Sequence, residues 1–195
     1  MIEPKTVRKL KLQMQVTING YVAQPNGKSE WMTWNPDGEL IAFMSSLIDS
    51  SDTLLLGRKL ADGGFINYWE NTAVNNPDHP FAKKIVDIPK VVFTKTLDES
   101  RWNNTTLATG NLAEEIANLK KQNGKDILVF GGAGFVSSLI KEGLIDEYHL
   151  IVNPTAIGNG MTIFNSINGI QKFSPIQAKL YSGGKIVLSY QPKND

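Results

Sequence analysis

The run from Asp126 to Ile140 joins an uninterrupted apolar stretch to three glycines and then to a helical pattern. It limits the chain to folds that bury a strand on both faces. Ile127 to Phe130 are large or β-branched and carry no polar alternation, which is the composition of an interior strand. Gly131, Gly132 and Gly134 leave the backbone bare where the next helix starts. Two readings are open at this point. Amide N–H groups and the positive helix end can face an anion, in the first place a phosphate-bearing ligand. Alternatively, the glycines serve only the packing of a tight strand-to-helix turn.

A doubly buried strand needs neighbours, and the chain supplies them in order. Arg8 to Ile18 alternates basic or polar residues with Leu10, Leu12, Met14, Val16 and Ile18, the period of a half-buried first strand. Asn19-Gly20 breaks it, and Pro25-Asn26-Gly27-Lys28 marks a loop before Trp31 and Trp34, which read either as core anchors or as the lining of a site for a flat ligand. Leu40, Phe43, Met44 and Leu47 recur at helical spacing over Glu39 to Ile48. Thr53 to Leu56 reads as an interior strand ended by Gly57-Arg58. Lys59 to Trp69 is helical in pattern but interrupted by Gly63-Gly64. Asn71 to Pro80 reads as a loop, and Phe81 to Val86 as a short helix.

Pro89 to Lys95 predicts another strand, Thr105 to Ala108 a shorter one, and Leu112, Ile116 and Leu119 a helix that stops at Asn123-Gly124. After the opening element come a strand from Tyr148 to Val152 and a glycine-containing loop from Pro154 to Gly160. Lys172 to Leu180 and Lys185 to Gln191 then read as a hairpin about Ser182-Gly183-Gly184. Strands alternating with helices and ending in an adjacent pair predict an α/β protein with a mainly parallel sheet and an antiparallel edge. A length of 195 residues fits one domain spanning 1–195.

Composition removes several function classes. With 20 basic against 19 acidic side chains and a formal charge of +1, nucleic acid and anionic membrane are not expected partners. The absence of cysteine excludes disulfides and thiol chemistry. His79 and His149 stand far apart without a ligand-rich neighbour, so no metal site is expected, and His149, among apolar neighbours, reads as one side of a strand. The first residues, Met1 to Lys9, lack a signal-peptide core and no later segment approaches a membrane span, which predicts a soluble cytoplasmic protein.

Ligands of open α/β sheets gather outside the carboxyl ends of the strands. Three segments bring suitable groups there: Gly57-Arg58, Thr94-Lys95, and Gly131-Gly132-Ala133-Gly134. Together they offer two cations, a hydroxyl and a bare helix start, a set suited to a dinucleotide with several phosphates. The Rossmann fingerprint fits poorly. Gly132 and Gly134 match its first two glycines, but Ser137 takes the third place and no acid follows about twenty residues on. The lysine motif of P-loop nucleotide sites is absent.

The ordered series resembles the dihydrofolate reductase-like fold, most closely the stand-alone proteins similar to the C-terminal reductase domain of the bifunctional riboflavin-biosynthesis deaminase/reductase. The likeness rests on Thr17 to Ala23, Asp52 to Arg58, Lys90 to Leu97, Val129 to Gly134, Gly143 to Tyr148, and Asn153 to Gly160 with Phe164. It implies a three-layer fold with a mainly parallel, mixed central sheet and an antiparallel C-terminal hairpin. It also implies bound NADPH, a small-molecule substrate and a homodimer. By this resemblance Gly57, Arg58, Thr94 and Lys95 hold the adenosine side with its 2′-phosphate. Gly131, Gly132, Ala133, Gly134 and Phe135 hold the pyrophosphate, and Val22 and Ala23 face the nicotinamide.

Glu39, at the start of the helix carrying Phe43, is the candidate catalytic carboxylate, since folate reductases place one there. Asn19, Trp34 and Phe43 are the candidate substrate contacts. Two departures stand out. Thr17 and Asn19 replace the family's usual Ser and Asp, so no carboxylate base sits there. Lys59-Leu60 replaces the usual Thr and aromatic after Gly57-Arg58. These changes leave a second reading beside the reductase: a catalytically inactive nucleotide-binding or regulatory module on the same fold.

Overall fold

The computed structural model describes residues 7–193; residues 1–6, part of the stretch read for a leader, lie outside it. Six parallel strands form its middle: β1 (Leu10–Thr17), β2 (Ser51–Gly57), β3 (Lys90–Phe93), β4 (Thr105–Ala108), β5 (Asp126–Gly131) and β6 (Glu147–Asn153). β7 (Phe173–Leu180) and β8 (Ile186–Pro192) extend one side as an antiparallel hairpin. Among the described residues the eight-stranded order is β4-β3-β2-β5-β1-β6-β8-β7.

Helices α1 (Gly38–Asp49), α2 (Arg58–Asp62), α3 (Phe65–Asn75) and α4 (Ala82–Asp87) cover one face, and α5 (Leu112–Lys121) and α6 (Ala133–Lys141) the other. The two-residue period of a strand sorts the core accordingly. Leu54, Leu56 and Leu128 pack with Leu40, Met44, Ile66 and Phe81. Leu55, Ile127 and Val129 pack with Ile116, Val136 and Leu139. Ile127, Leu128 and Val129 are all 0% exposed, as the apolar run requires.

Two expectations are corrected. β1 is not half-buried: it lies between β5 and β6, so Gln13, on what read as its solvent side, is only 6% exposed. Alternation of polar with apolar residues cannot distinguish a face open to water from one roofed by α1. The stretch Asn71 to Pro80 is not all loop, because α3 runs on to Asn75. Its first turns are anchored by Ile66, Phe65 and Trp69 against the core. Its polar residues then bond back to their own helix, Thr72 Oγ1 to Tyr68 O at 2.7 Å and Asn75 Nδ2 to Asn71 O at 2.9 Å. Gly64, at φ 94°, separates α2 from α3 where Gly63-Gly64 broke the helical pattern.

At the amino ends of the central strands lies a row of charges. Arg8, 3% exposed, donates to Lys125 O, to Leu119 O at 3.2 Å and to Thr53 Oγ1 at 2.8 Å, and pairs with Asp52. Glu147 has His149 Nε2 at 3.3 Å and Lys9 Nζ at 2.7 Å. These partners, His149 first, pull its carboxyl from 4.5 down to about 2. A carboxylate with a lowered native pKa stabilises the fold above its unfolded value and loses that contribution as pH falls. Urea melts at a series of acidic pH values should show stability declining from about pH 4.5 towards 2, with a shallower decline in Glu147→Gln.

Candidate functional site

The carboxyl ends of β1, β2, β3 and β5 open into one cleft of about 1290 Å³. A small ligand's cleft usually has roughly 300–1,000 Å³, so this one has room for two molecules side by side. One half is built on the glycine turns. β2 ends at Gly57, and Phe135 of α6 sits on its bare Cα so closely that a Cβ there would stand 2.6 Å from Phe135 Cβ. That contact brings α6 down onto the sheet. Gly57→Ala should therefore lower stability by about 1–3 kcal/mol through overpacking, read as a lower urea midpoint with an unchanged slope.

β5 ends at Gly131, whose φ of 141° excludes most side chains, and the Gly131–Gly132 peptide is cis. Gly132 caps α6 without a side chain to bond its first amides. The N–H groups of Ala133, Gly134 and Phe135 thus have no partner within the helix, and all three residues line the cleft. Phe93, across from Phe135 with ring centres 4.9 Å apart, completes an apolar floor.

Cations surround this half. Arg58 opens α2 and pairs with Asp62 at 2.6 Å, and Asp62 also pairs with Arg101. Both guanidinium groups, Arg101 the more, hold the Asp62 carboxyl below its ordinary value. Lys95 Nζ donates to the carbonyls of Thr109 at 2.7 Å and Gly110 at 2.5 Å. An ammonium has three donors, so one remains. Thr94, 5% exposed, accepts from the amides of Thr96 and Leu97 at 3.1 and 3.2 Å, which fixes the turn that presents Lys95. Leu60 packs beside Gly131, an aliphatic side chain where an aromatic is usual. No described residue lining the cleft is Asp or Glu.

The other half has aromatic sides. Trp31, 8% exposed, and Trp34, 46% exposed, come from the loop ahead of α1. That loop is tied down from the hairpin: buried Lys185 donates to Thr33 O at 2.7 Å and Asn35 Oδ1 at 2.5 Å, and Ser182 Oγ donates to Asp37 at 2.6 Å. Burial lowers the Lys185 pKa, and the two oxygens compensate for the desolvated ammonium. Phe65, Tyr68 and Trp69 of α3, with His79, Phe81 and Phe130, face the same space. Trp34 meets Phe81 edge-on at 6.0 Å, and Trp69 meets His79 at 5.3 Å. His79 Nδ1 accepts from Phe81 N at 3.2 Å, which leaves Nε2 as the protonated nitrogen of the neutral ring.

Val22 and Ala23 line the cleft, held by reciprocal bonds with Met161, Val22 N to Met161 O at 2.8 Å and Met161 N to Ala23 O at 2.7 Å. The structure brings Gly57, Arg58, Thr94, Lys95, Gly131, Gly132, Ala133, Gly134, Phe135, Val22, Ala23 and Trp34 into one cleft lining. Three expected residues are not in it. Glu39 is 72% exposed and pairs with Lys179 of β7 at 3.0 Å. Phe43 packs edge-on to His149 at 5.9 Å beneath α1. Asn19 joins the turn after β1 to the later glycine loop through Ile157 O at 2.8 Å.

Gln13, Tyr68 and His79 belong to the lining, and sequence reasoning did not single them out as site residues. No local signal marked them: Gln13 reads as the polar side of an alternating strand until strand order places β1 inside the sheet.

The chain matches the family model of the RibD C-terminal domain over residues 8–185. It is 29% identical over 187 residues to the uncharacterized protein YyaP of Bacillus subtilis, covering 94% of each chain. Its fold is similar to a putative riboflavin biosynthesis protein from Shewanella sp. PV-4, with a TM-score of 0.69, 23% identity, and 95% and 99% of the two chains covered. It is also similar to the diaminohydroxyphosphoribosylaminopyrimidine deaminase/5-amino-6-(5-phosphoribosylamino)uracil reductase of Thermotoga maritima. There the TM-score is 0.65 at 16% identity, and 95% of this chain matches 57% of that one. The three-layer sheet with its antiparallel C-terminal hairpin is thus the dihydrofolate reductase-like arrangement. The chain belongs to the RibD C-terminal domain family.

Proposed function

We propose that the protein is an NADPH-dependent reductase that reduces a C=N or C=O bond of a small flat substrate. The observation that carries this reading is the charge sorting of the cleft. Arg58, Lys95 and the uncapped α6 start stand around one half, and no carboxylate of the described lining opposes a polyanion. A dinucleotide suits this cradle: at Gly134, in the first turn of α6, the place of a Cβ is open space, so a phosphate can approach the backbone there.

In this reading Arg58 and Lys95 take the 2′-phosphate, with Thr94 holding the turn of Lys95. The amides from Gly131 to Phe135 take the pyrophosphate, and Val22 and Ala23 lie against the nicotinamide. Trp34 borders the substrate, while Asn19 and Phe43 support the site from behind. NADPH supplies a hydride to the substrate carbon, and the heteroatom then needs a proton. We assign to His79 Nε2–H, rather than to Glu39, the hydrogen bond that steadies the charge developing on the heteroatom, with the proton itself coming from water in the open cleft. His79→Phe should reduce kcat by about 10²-fold with little change in NADPH affinity, whereas Glu39→Gln should leave turnover unchanged. Equal turnover of the two variants would remove His79 from the reaction.

The reductase reading is tested by titrating the protein with NADPH and NADH and following NADPH oxidation over a panel of flat imines and carbonyls. Tight, NADPH-selective binding with turnover is the expected result. Binding without turnover on any compound favours the inactive nucleotide-binding module, and a melting temperature unmoved by NADPH contradicts both. A cytoplasmic, homodimeric protein acting on a small molecule is the setting in which this activity is proposed. No described helix is long and apolar enough to cross a membrane.

A further inference from the structure

We propose that the aromatic half of the cleft takes an uncharged planar heterocycle with a ring amide, carrying neither phosphate nor carboxylate, and that Gln13 and Trp31 recognise its polar edge. This rests on the reductase reading for the neighbouring half. Two polar groups of the cleft lining are unpartnered: Gln13 Oε1 and Trp31 Nε1 are both shut from solvent without a hydrogen bond. Their side chains belong to residues 6% and 8% exposed.

Gln13 is conspicuous on its own face of the sheet. Beside it on β1, Lys11 pairs with Asp126 at 2.7 Å, and Gln15 Oε1 accepts from Asn153 Nδ2 at 2.8 Å. Across from it on β6, His149 Nδ1 meets Ser189 Oγ at 2.9 Å. Among the described residues the Gln13 amide alone in this row has no protein partner. Buried polar groups are almost always satisfied, and one left without a partner in a cleft lining is available to a ligand.

The chemistry of the pair selects the ligand. A primary amide offers a donor and an acceptor side by side, the complement of the N–H and C=O of a ring amide, and an indole N–H is a donor only, suited to a second ring acceptor. Phe65, Trp69, Phe81 and Phe130 present ring surface for a flat molecule. Gln13 and Phe130 stand on the same face of adjacent strands, with α1 and α4 above them. The cations of the lining lie elsewhere: Arg58, Lys59 and Lys95 at strand ends or in α2, and Lys28 at the rim, paired with Glu30 at 3.1 Å. Neither a substrate anion nor a substrate cation finds a counter-charge between the aromatic sides.

The test uses the full chain saturated with NADP⁺ and three probes: quinazolin-4-one, quinazoline, which lacks the ring amide, and a quinazolin-4-one carboxylic acid. Binding is read calorimetrically. Quinazolin-4-one should bind about tenfold or more tighter than either of the others. Gln13→Leu should abolish its advantage over quinazoline, and Trp31→Phe, which keeps a ring but removes the N–H, should weaken it about tenfold.

Equal binding of quinazolin-4-one and quinazoline, no binding of the former, or tighter binding of the acid overturns the proposal. So does an undiminished preference in Gln13→Leu. If Gln13→Leu does not fold, the unaltered protein and Trp31→Phe decide. NADPH affinity, measured on the same samples, separates the two ideas. Retained NADPH binding without probe discrimination sinks the inference alone, and discrimination without NADPH binding sinks the reductase reading alone.

Discussion

Replacing both Arg58 and Lys95 with alanine should weaken NADPH binding by 100-fold or more, as about 1.5–3 kcal/mol is lost for each hydrogen bond to a charged group. NADH affinity should change little, so that the preference between the two nucleotides collapses. Isothermal titration with both nucleotides measures it. The cost of freeing the two cations is small, because neither is bound in a way that a phosphate would have to undo completely. Asp62 holds Arg58 and Arg101 together, so Arg58 can turn to a phosphate while Arg101 keeps the carboxylate neutralised. Lys95 spends two of its three donors on Thr109 O and Gly110 O and can keep both while giving the third. An unchanged NADPH preference in the double variant would place the 2′-phosphate elsewhere.

Arg8→Ala should be the most damaging substitution for stability, at about 3 kcal/mol. The guanidinium joins the carbonyls of Lys125 and Leu119 to Thr53 Oγ1 and Asp52, from a residue 3% exposed. Its removal leaves two carbonyls short of a donor and Asp52 without its cation, though Lys125 N still donates to Asp52 at 2.8 Å. For a chain of this size the loss corresponds to a fall in Tm of roughly 6–12 °C. Calorimetric melts of the variant and of Arg8→Lys check it. Lysine should recover little, since an ammonium cannot span four acceptors with a planar fork.

Both predictions concern residues whose importance was unequally visible. Arg58 and Lys95 follow short apolar runs, and a strand that ends in a cation is an arrangement legible in one dimension. The same holds for the interior strand at Ile127 to Phe130 and for the hairpin about Gly183, where composition and period leave few alternatives. Arg8 precedes its strand in an unremarkable basic stretch. Its significance comes from Asp52, Leu119 and Lys125, which are brought to it only when β1 settles between β5 and β6.

The site divides in the same way. The glycines at 57, 131, 132 and 134 were legible because a bare backbone is a local property. Glu39 was chosen for its position at the head of α1, and the structure turns it to solvent against Lys179, a residue of a strand far along the chain. His79 lay in what read as a loop and enters the cleft because α3 carries the chain further than its Asn-rich sequence suggests.

By itself the sequence determined the alternation of strand and helix, the resemblance to the riboflavin-pathway reductase domain and the glycine turns at the strand ends. All are set by local period, by glycine, and by charge at the end of an apolar run. Only the tertiary structure decided which polar residues are buried. Strand order puts Gln13 in the middle of the sheet, α1 roofs its face, and the hairpin's Lys185 holds Trp31 and Trp34 over the cleft. Burial is a property of contacts between distant segments, and strand periodicity is the same whether a face meets water or another helix.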